Sequence, residues 1–281
     1  MLDVVFAILT SFLITFLVIP IVIRVVGQNE SLLEQPTDRA SHKVSLPTFG
    51  GIAIFFGILF AMIFWMDLTT YKQLQSLLSA LLVIFFVGML DDLVSLSPSK
   101  KIVGQLLAII IVIYFSDLRI TSMYGIFSIH VLPYWVSVSL TAFTMIVITN
   151  AYNLIDGLDG LAASVGILAT IIFGMLFWWT SQPELAIVSW ALSGSLLAFL
   201  HFNFHPAKIF MGDTGSLVIG FLLSVFAVNL VRTDVVLGEL NFEAKGSALA
   251  IAILVIPLYD ALRVFVIRVL KGQSPMQPDR N

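Results

Sequence analysis

The chain has 281 residues, 59% of them hydrophobic and 11% charged, against about 45–50% and about 25% in an ordinary soluble domain. With a mean hydropathy of +1.04, that surplus exceeds what a soluble interior of this size can hide, so it faces lipid and the chain is an integral membrane protein. The absence of cysteine excludes disulfides, thiolate metal sites and thiol nucleophiles, and a net charge of −3 without a basic tract argues against nucleic acid as a partner.

Apolar runs near the length that crosses a hydrocarbon core occur nine times: Val4–Val26, Phe49–Met66, Leu74–Leu90, Ile102–Phe115, Tyr134–Thr149, Leu161–Thr180, Leu185–Phe202, Ser216–Val231 and Ser247–Val266. Met1–Val26 lacks a basic n-region and a small-residue cleavage site, so it reads as a retained span rather than a signal peptide. Ile102–Phe115 is too short to cross unless it borrows flanking residues, and Leu118–His130 reads as an interfacial hairpin with Gly125 near its turn. No repeat or linker interrupts the pattern. The predicted fold is an all-α polytopic helix bundle of about nine spans, one membrane domain over 1–281.

Lys and Arg stay preferentially on the cytoplasmic side of short loops. With Met1 outside, Lys72, Arg119, Arg232 and Lys245 fall outside, and the other ten of the fourteen basic residues fall in the cytoplasmic loops and tail. That bias favours an outside N-terminus.

Those same loops hold three polar clusters. Asp91-Asp92 ends the third run, where the helix dipole is already negative and a cation is needed to compensate. The bland alternative is a solvated helix end. In Asn150-Ala-Tyr-Asn153-Leu-Ile-Asp156-Gly157-Leu-Asp159-Gly160, polar groups recur every third residue, and a helical turn would set Asp156 and Asp159 on one face. One Asx residue suffices to cap a helix, whereas four at one spacing in an apolar chain point to function. The stretch from His201 to Ser216 contains Asn203, His205, Lys208, Phe210, Gly212, Asp213, Thr214 and Gly215. Its glycines admit close backbone approach to a ligand, and the helix that follows offers N–H groups to a phosphate. Asp213, Thr214 or Ser216 as a simple N-cap is the alternative. Five aspartates, 91, 92, 156, 159 and 213, thus meet one face with Lys43, Lys101 and Lys208 nearby. Oxygen ligands without cysteine suit Mg²⁺ or Mn²⁺ bridging to substrate phosphates, so phosphoryl transfer at the lipid boundary is the natural chemistry.

Four motifs in fixed order carry a resemblance that spans the chain: Asp38-Arg-Ala-Ser-His42-Lys43 through Pro47-Thr-Phe-Gly50-Gly51; Asp91-Asp92 followed by Lys101 and Gln105; Asn153-Leu-Ile-Asp-Gly-Leu-Asp-Gly; and Pro206-Ala-Lys-Ile-Phe-Met-Gly-Asp-Thr-Gly-Ser. The sequence resembles the polyprenyl-phosphate N-acetylhexosamine-1-phosphate transferases, membrane enzymes that move a sugar-1-phosphate from a UDP-sugar to a lipid phosphate. By that resemblance Asp213 holds the metal, and Asp91 and Asp92 deprotonate or position the lipid phosphate. Asp156 supports the metal and diphosphate, and Lys101 faces the phosphates. Lys43, Asp159, Asn203 and Phe210 hold the uridine, with Phe210 stacking on uracil, and His42 and Asn153 join the substrate-binding set. The family implies about ten helices with an outside N-terminus, Mg²⁺, a UDP-sugar and a polyprenyl phosphate as partners, a homodimer as an admissible assembly, and a site on the cytoplasmic side of the bacterial inner membrane.

Asp-Arg before His42-Lys43, Pro206-Ala-Lys-Ile-Phe and the ending Ser274-Pro-Met-Gln-Pro-Asp279-Arg280-Asn281 resemble the N-acetylglucosamine-1-phosphate branch, which starts surface polysaccharides. The phospho-N-acetylmuramoyl-pentapeptide branch of peptidoglycan synthesis is the alternative. In the first branch an Asp-Arg-Asn ending is followed by a His-x-His-His motif and one or two further spans, so the resemblance implies that 1–281 lacks the last active-site loop. Two readings of another class are an ion-coupled transporter and an inactive binding homologue. Acidic residues at run ends, and no run broken in its middle, weigh against the transporter.

Overall fold

The computed structural model describes residues 2–28, 33–34, 46–66, 72–124, 128–237 and 242–272; His42 and Lys43 lie outside them. In chain order the elements are α1 (Leu2–Gly27), β1 (Leu33–Glu34), β2 (Leu46–Pro47), α2 (Gly50–Trp65), α3 (Lys72–Val94), α4 (Pro98–Ser116), α5 (Tyr134–Leu154), α6 (Leu161–Trp179), α7 (Pro183–Asn203), α8 (Gly212–Val231), β3 (Asp234–Leu237), β4 (Phe242–Lys245), α9 (Gly246–Ile253) and α10 (Val255–Leu270).

Helix α8 is the axis of the bundle. It is apolar on every side, and each residue from Thr214 to Val228 is buried, as a helix without a polar face must be. α2, α3, α5 and α9 pack around it, while α1 lies on α7 and α2, and α6 on α7. Lipid is as apolar as leucine, so such helices hold together by close van der Waals contact rather than by expulsion of water. Gly51 and Gly215 supply that closeness: a Cβ on Gly51 would fall 2.0 Å from the Gly215 nitrogen.

Among the described residues, seven helices, α1 and α3 to α8, are long and apolar enough to cross a membrane, and eight spans result if α9 and α10 count as one. Two of the nine expected runs differ from a simple span. α2 has 16 residues, a rise of about 24 Å at 1.5 Å each. The run Ser247–Val266 breaks at Leu254, where α9 and α10 meet at 68°, so the expectation of no interrupted span was wrong; Leu254 leaves the helical region while the apolar pattern runs on through it. The run at 102–115 does borrow its flank: Pro98, pre-shaped for a first helical position, begins a 19-residue α4.

Gly125, the expected turn of the hairpin at 118–130, lies outside the described residues, and the described flanks form no strand. Leu132 N–H donates to Thr121 O, but Ile120 turns its N–H and C=O to the hydroxyls of Thr141 and Ser137 on α5. Antiparallel pairs occur instead at β1–β2 and β3–β4, the latter matching Asp234 to Lys245 and Leu237 to Phe242.

Candidate active site at the N-terminus of α8

The last turns of α3 and α5, the first turns of α2, α4 and α8, and the loops after α5 and α7 gather at one end of the bundle. The 206–212 loop is stitched to α2: Gly50 and Gly51 N–H donate to Phe210 and Met211 carbonyls at 3.0 and 2.8 Å, and Phe210 N–H donates to Pro47 O at 2.9 Å. Gly212 enters α8 at φ +73°, and a Cβ there would stand 1.9 Å from Thr48 O. Gly212 and Gly215 thus make close approaches to Thr48 and Gly51 of this same chain.

Helix α8 has no cap of its own at Met211. Its cap comes from α3: Asp92 Oδ1 accepts the Asp213 N–H at 2.7 Å, and Asp92 Oδ2 accepts the Thr214 N–H at 2.9 Å and the Thr214 hydroxyl at 2.5 Å. The cap expected of Asp213, Thr214 or Ser216 is thus supplied by Asp92, whose carboxylate meets the positive terminus of the helix. Asp92 thus resolves its own unfavourable place at the negative end of α3.

Asp91 is 5% exposed, so a solvated helix end does not describe it. Its Oδ1 accepts the Leu96 N–H at 2.6 Å. Its Oδ2 is buried without a conventional hydrogen bond and meets the Lys101 ammonium from α4. The same ammonium lies 3.1 Å from Asp213 Oδ1. Asn153, on the last turn of α5, donates to that oxygen at 2.5 Å and to Ser216 Oγ at 2.7 Å. One turn earlier Asn150 and the fully buried Gln105 exchange amide hydrogen bonds of 2.8 and 3.3 Å, fixing α4 against α5. Four helices thereby aim Asp91, Lys101, Asn153 and Asp213 at one point.

Asp156 and Asp159 do not share a helical face. α5 ends at Leu154, and both lie in the turn before α6, where Gly157 and Gly160 disfavour continued helix. Asp156 is half-buried there. Asp159 Oδ2 reaches the other loop, accepting the Ala207 N–H at 3.2 Å beside His205 Nδ1 at 3.0 Å. Asn203 is buried and bridges the two loops, accepting the Gly160 N–H and donating to Ile209 O, each at 2.9 Å. Phe210 is half-buried in the stitched loop. Lys208 is exposed. The sequence reading passed over the Thr214 hydroxyl as the partner of Asp92, and Ser216 as the second acceptor for Asn153. A Thr and a Ser flanking Gly215 in the first turn of a buried helix were the signals.

Among the described residues, no three His, Asp or Glu side chains converge as a self-sufficient metal site. Mg²⁺ needs fewer, since it keeps waters and takes one or two carboxylates plus substrate phosphates. Asp91 and Asp213, facing one cation between them, are a donor set of that kind.

The family model described as "Glycosyl transferase family 4" matches residues 74–231. The chain belongs to this family. Glycosyl transferase family 4 here comprises the polyprenyl-phosphate N-acetylhexosamine-1-phosphate transferases, and the protein is a phosphoglycosyl transferase of the membrane. A "Probable undecaprenyl-phosphate N-acetylglucosaminyl 1-phosphate transferase" of Bacillus subtilis (strain 168) is 32% identical over all of this chain and 76% of its own length. An "Undecaprenyl-phosphate alpha-N-acetylglucosaminyl 1-phosphate transferase" of Escherichia coli (strain K12) is 30% identical over 92% of this chain and 69% of its own. A "Phospho-N-acetylmuramoyl-pentapeptide-transferase" of Halalkalibacterium halodurans is 34% identical over 78% of this chain and 72% of its own. The family match takes in α3 to α8, the helices that carry every residue of the Asp91–Lys101–Asp213 cluster.

Proposed function

We propose that this glycosyl transferase family 4 enzyme transfers N-acetylglucosamine-1-phosphate from UDP-N-acetylglucosamine to undecaprenyl phosphate, releasing UMP and starting a lipid-linked surface polysaccharide. The observation that supports it is the pair of carboxylates, Asp91 and Asp213, drawn from different helices onto the Lys101 ammonium. In this reading a phosphate oxygen of the lipid attacks the sugar-linked phosphorus, a new P–O bond forms, and the bond to the UMP oxygen breaks. The lipid phosphate is already ionised near neutral pH, so alignment and charge neutralisation matter more than a strong base. Asp91 therefore orients the acceptor more than it deprotonates it. Lys101 meets diphosphate oxygens, Asn153 fixes the Asp213 carboxylate, and Asp92 fixes the first turn of α8. Asp213, with support from Asp91 and Asp156, would hold Mg²⁺, which when bound would supply Lewis-acid neutralisation of the diphosphate. Asp159, Asn203, Phe210, His42 and Lys43 are assigned to the nucleotide side. Asn203 acts there through the two loops it ties, since both ends of its amide are engaged.

The excess of basic residues in the loops at this end supports an outside N-terminus and a site facing the cytoplasm of the bacterial inner membrane. A UDP-muramoyl-pentapeptide donor is the second reading, favoured by the Halalkalibacterium relative. Incubating the purified protein with undecaprenyl phosphate, Mg²⁺ and each donor in turn decides between them. UMP release with UDP-N-acetylglucosamine alone is the expected result. Release with the muramoyl donor alone would transfer the chain to the other branch, and release with neither would overturn the proposal.

A further inference from the structure

The Lys101 ammonium contacts two carboxylates from separate helices, Asp91 Oδ2 on α3 and Asp213 Oδ1 on α8. The Lys101 and Asp91 side chains are only 20% and 4% exposed. Two carboxylates so placed, one in the interior, repel strongly without a cation between them. Asp91 Oδ2 has no hydrogen bond to hold it otherwise, whereas Asp213 Oδ1 has one from Asn153. A lysine suits such a post better than an arginine. Its single ammonium on a flexible stem makes no forked, geometry-locked pair and can swing away. The stem rises from the first turn of α4, and the neighbouring Lys100 is exposed, so that turn borders water.

We infer that Lys101 is the resident counter-ion of the metal-free site: its ammonium occupies the position between Asp91 and Asp213 that a divalent cation takes on loading, and loading releases it toward the diphosphate. The inference rests on the proposed reading of Asp213 as the metal-holding carboxylate. Its consequence is that metal arrival and presentation of a cation to the substrate are one event. Without the ion the ammonium would keep the two carboxylates neutralised and in place, and with it the chain would gain a mobile ammonium beside the ion.

Two measurements test it without turnover. Mn²⁺ affinity of the detergent-purified protein, followed by the free-ion electron paramagnetic resonance signal, should rise about tenfold or more in Lys101→Met, the scale on which a neighbouring charge shifts an ionic equilibrium. Lys101→Arg, which keeps a charge and grips both carboxylates by its fork, should bind no tighter than the parent. In the unaltered protein, saturating Mg²⁺ should increase acetylation of Lys101 by an amine-reactive reagent, read by mass spectrometry, while Lys100 stays constant as the internal control. Unchanged or weaker Mn²⁺ binding in Lys101→Met, or acetylation of Lys101 indifferent to Mg²⁺, would overturn the inference. Asp213→Asn separates the two layers: if it leaves Mn²⁺ binding intact, the metal assignment to Asp213 falls. If it removes binding while Lys101→Met changes nothing, the assignment stands and only the counter-ion role falls.

Discussion

Replacing Asp92 by Asn tests whether this aspartate works through α8 or on the reactants. Its carboxylate accepts three hydrogen bonds, from the Asp213 N–H, the Thr214 N–H and the Thr214 hydroxyl. An amide in its place presents a donor to at least one of these donors whichever way it is turned. The smallest loss is thus one charge-assisted bond, about 1.5–3 kcal/mol, together with the interaction of the charge with the helix terminus, about 0.3–1 kcal/mol. A loss of about 2–4 kcal/mol in stability follows. Turnover should fall as well, because Asp213 leaves the first turn of α8 and a displacement of about 1 Å at a reacting centre costs about a hundredfold. The assay is the thermal midpoint of the purified protein beside its rate of UMP release. Thr214→Val, which removes the fully buried hydroxyl alone, should move both readouts in the same direction by less. An Asp92→Asn protein with an unchanged midpoint and no turnover would refute the argument, since the carboxylate would then be acting on the substrates.

Three further outcomes follow from the packing. Gly51→Ala drives a methyl to within 2.0 Å of the Gly215 nitrogen, whereas Gly157 has nothing within 4 Å of its would-be Cβ; the first should abolish recovery of folded protein from membranes, and the second should leave the yield unchanged. Gln105→Leu strips Asn150 of its partner on α4, and the thermal midpoint should drop with a loss of about 1–3 kcal/mol. Asn203→Ala leaves the Gly160 N–H and Ile209 C=O unpaired inside the protein, about 1–3 kcal/mol for each. A lowered midpoint with an unchanged KM for the UDP-sugar marks it as a tie between loops, and the reverse pattern would mark it as a nucleotide contact.

The apolar runs gave the bundle because lipid imposes one requirement, satisfied backbone over a fixed thickness, that composition alone reports. The break at Leu254 carried a signal that hydropathy alone overlooks: Val255 and Ile256 continue the apolar pattern, but Pro257 cannot donate to the Ile253 carbonyl one turn earlier, where α9 ends. The docking of the 118–124 segment on α5 was illegible because it depends on Thr141 and Ser137, distant in sequence, which take up the N–H and C=O of Ile120. Convergence of Asp91, Lys101 and Asp213 was legible from span ends on one side. Division of labour within Asp91-Asp92 was not, because adjacent residues on a helix point about 100° apart and no local pattern says which one meets α8 and which meets α4. The helical spacing of Asp156 and Asp159 failed for a related reason: Gly157 and Gly160 end the geometry on which a period of three depends.

Asp92 also bears on how the proposed reaction handles charge. A helix N-terminus is a ready site for phosphate, and the Gly212-Asp213-Thr214-Gly215 turn has the composition of one. Its Asp213 and Thr214 N–H groups are already donated to Asp92, so α8 offers little further attraction to a diphosphate. The remaining acidic groups, Asp91, Asp156, Asp159 and Asp213, oppose the approach of a UDP-sugar and a lipid phosphate, and repulsion of this kind is strongest where water is scarce. Lys101 answers part of it, with two carboxylates already on its ammonium. On the proposed reading, then, the requirement for a divalent cation follows from the use of α8's positive end for architecture. The cap that places Asp213 removes the backbone anion site that would otherwise have met the substrate, and a metal ion has to restore the missing positive charge.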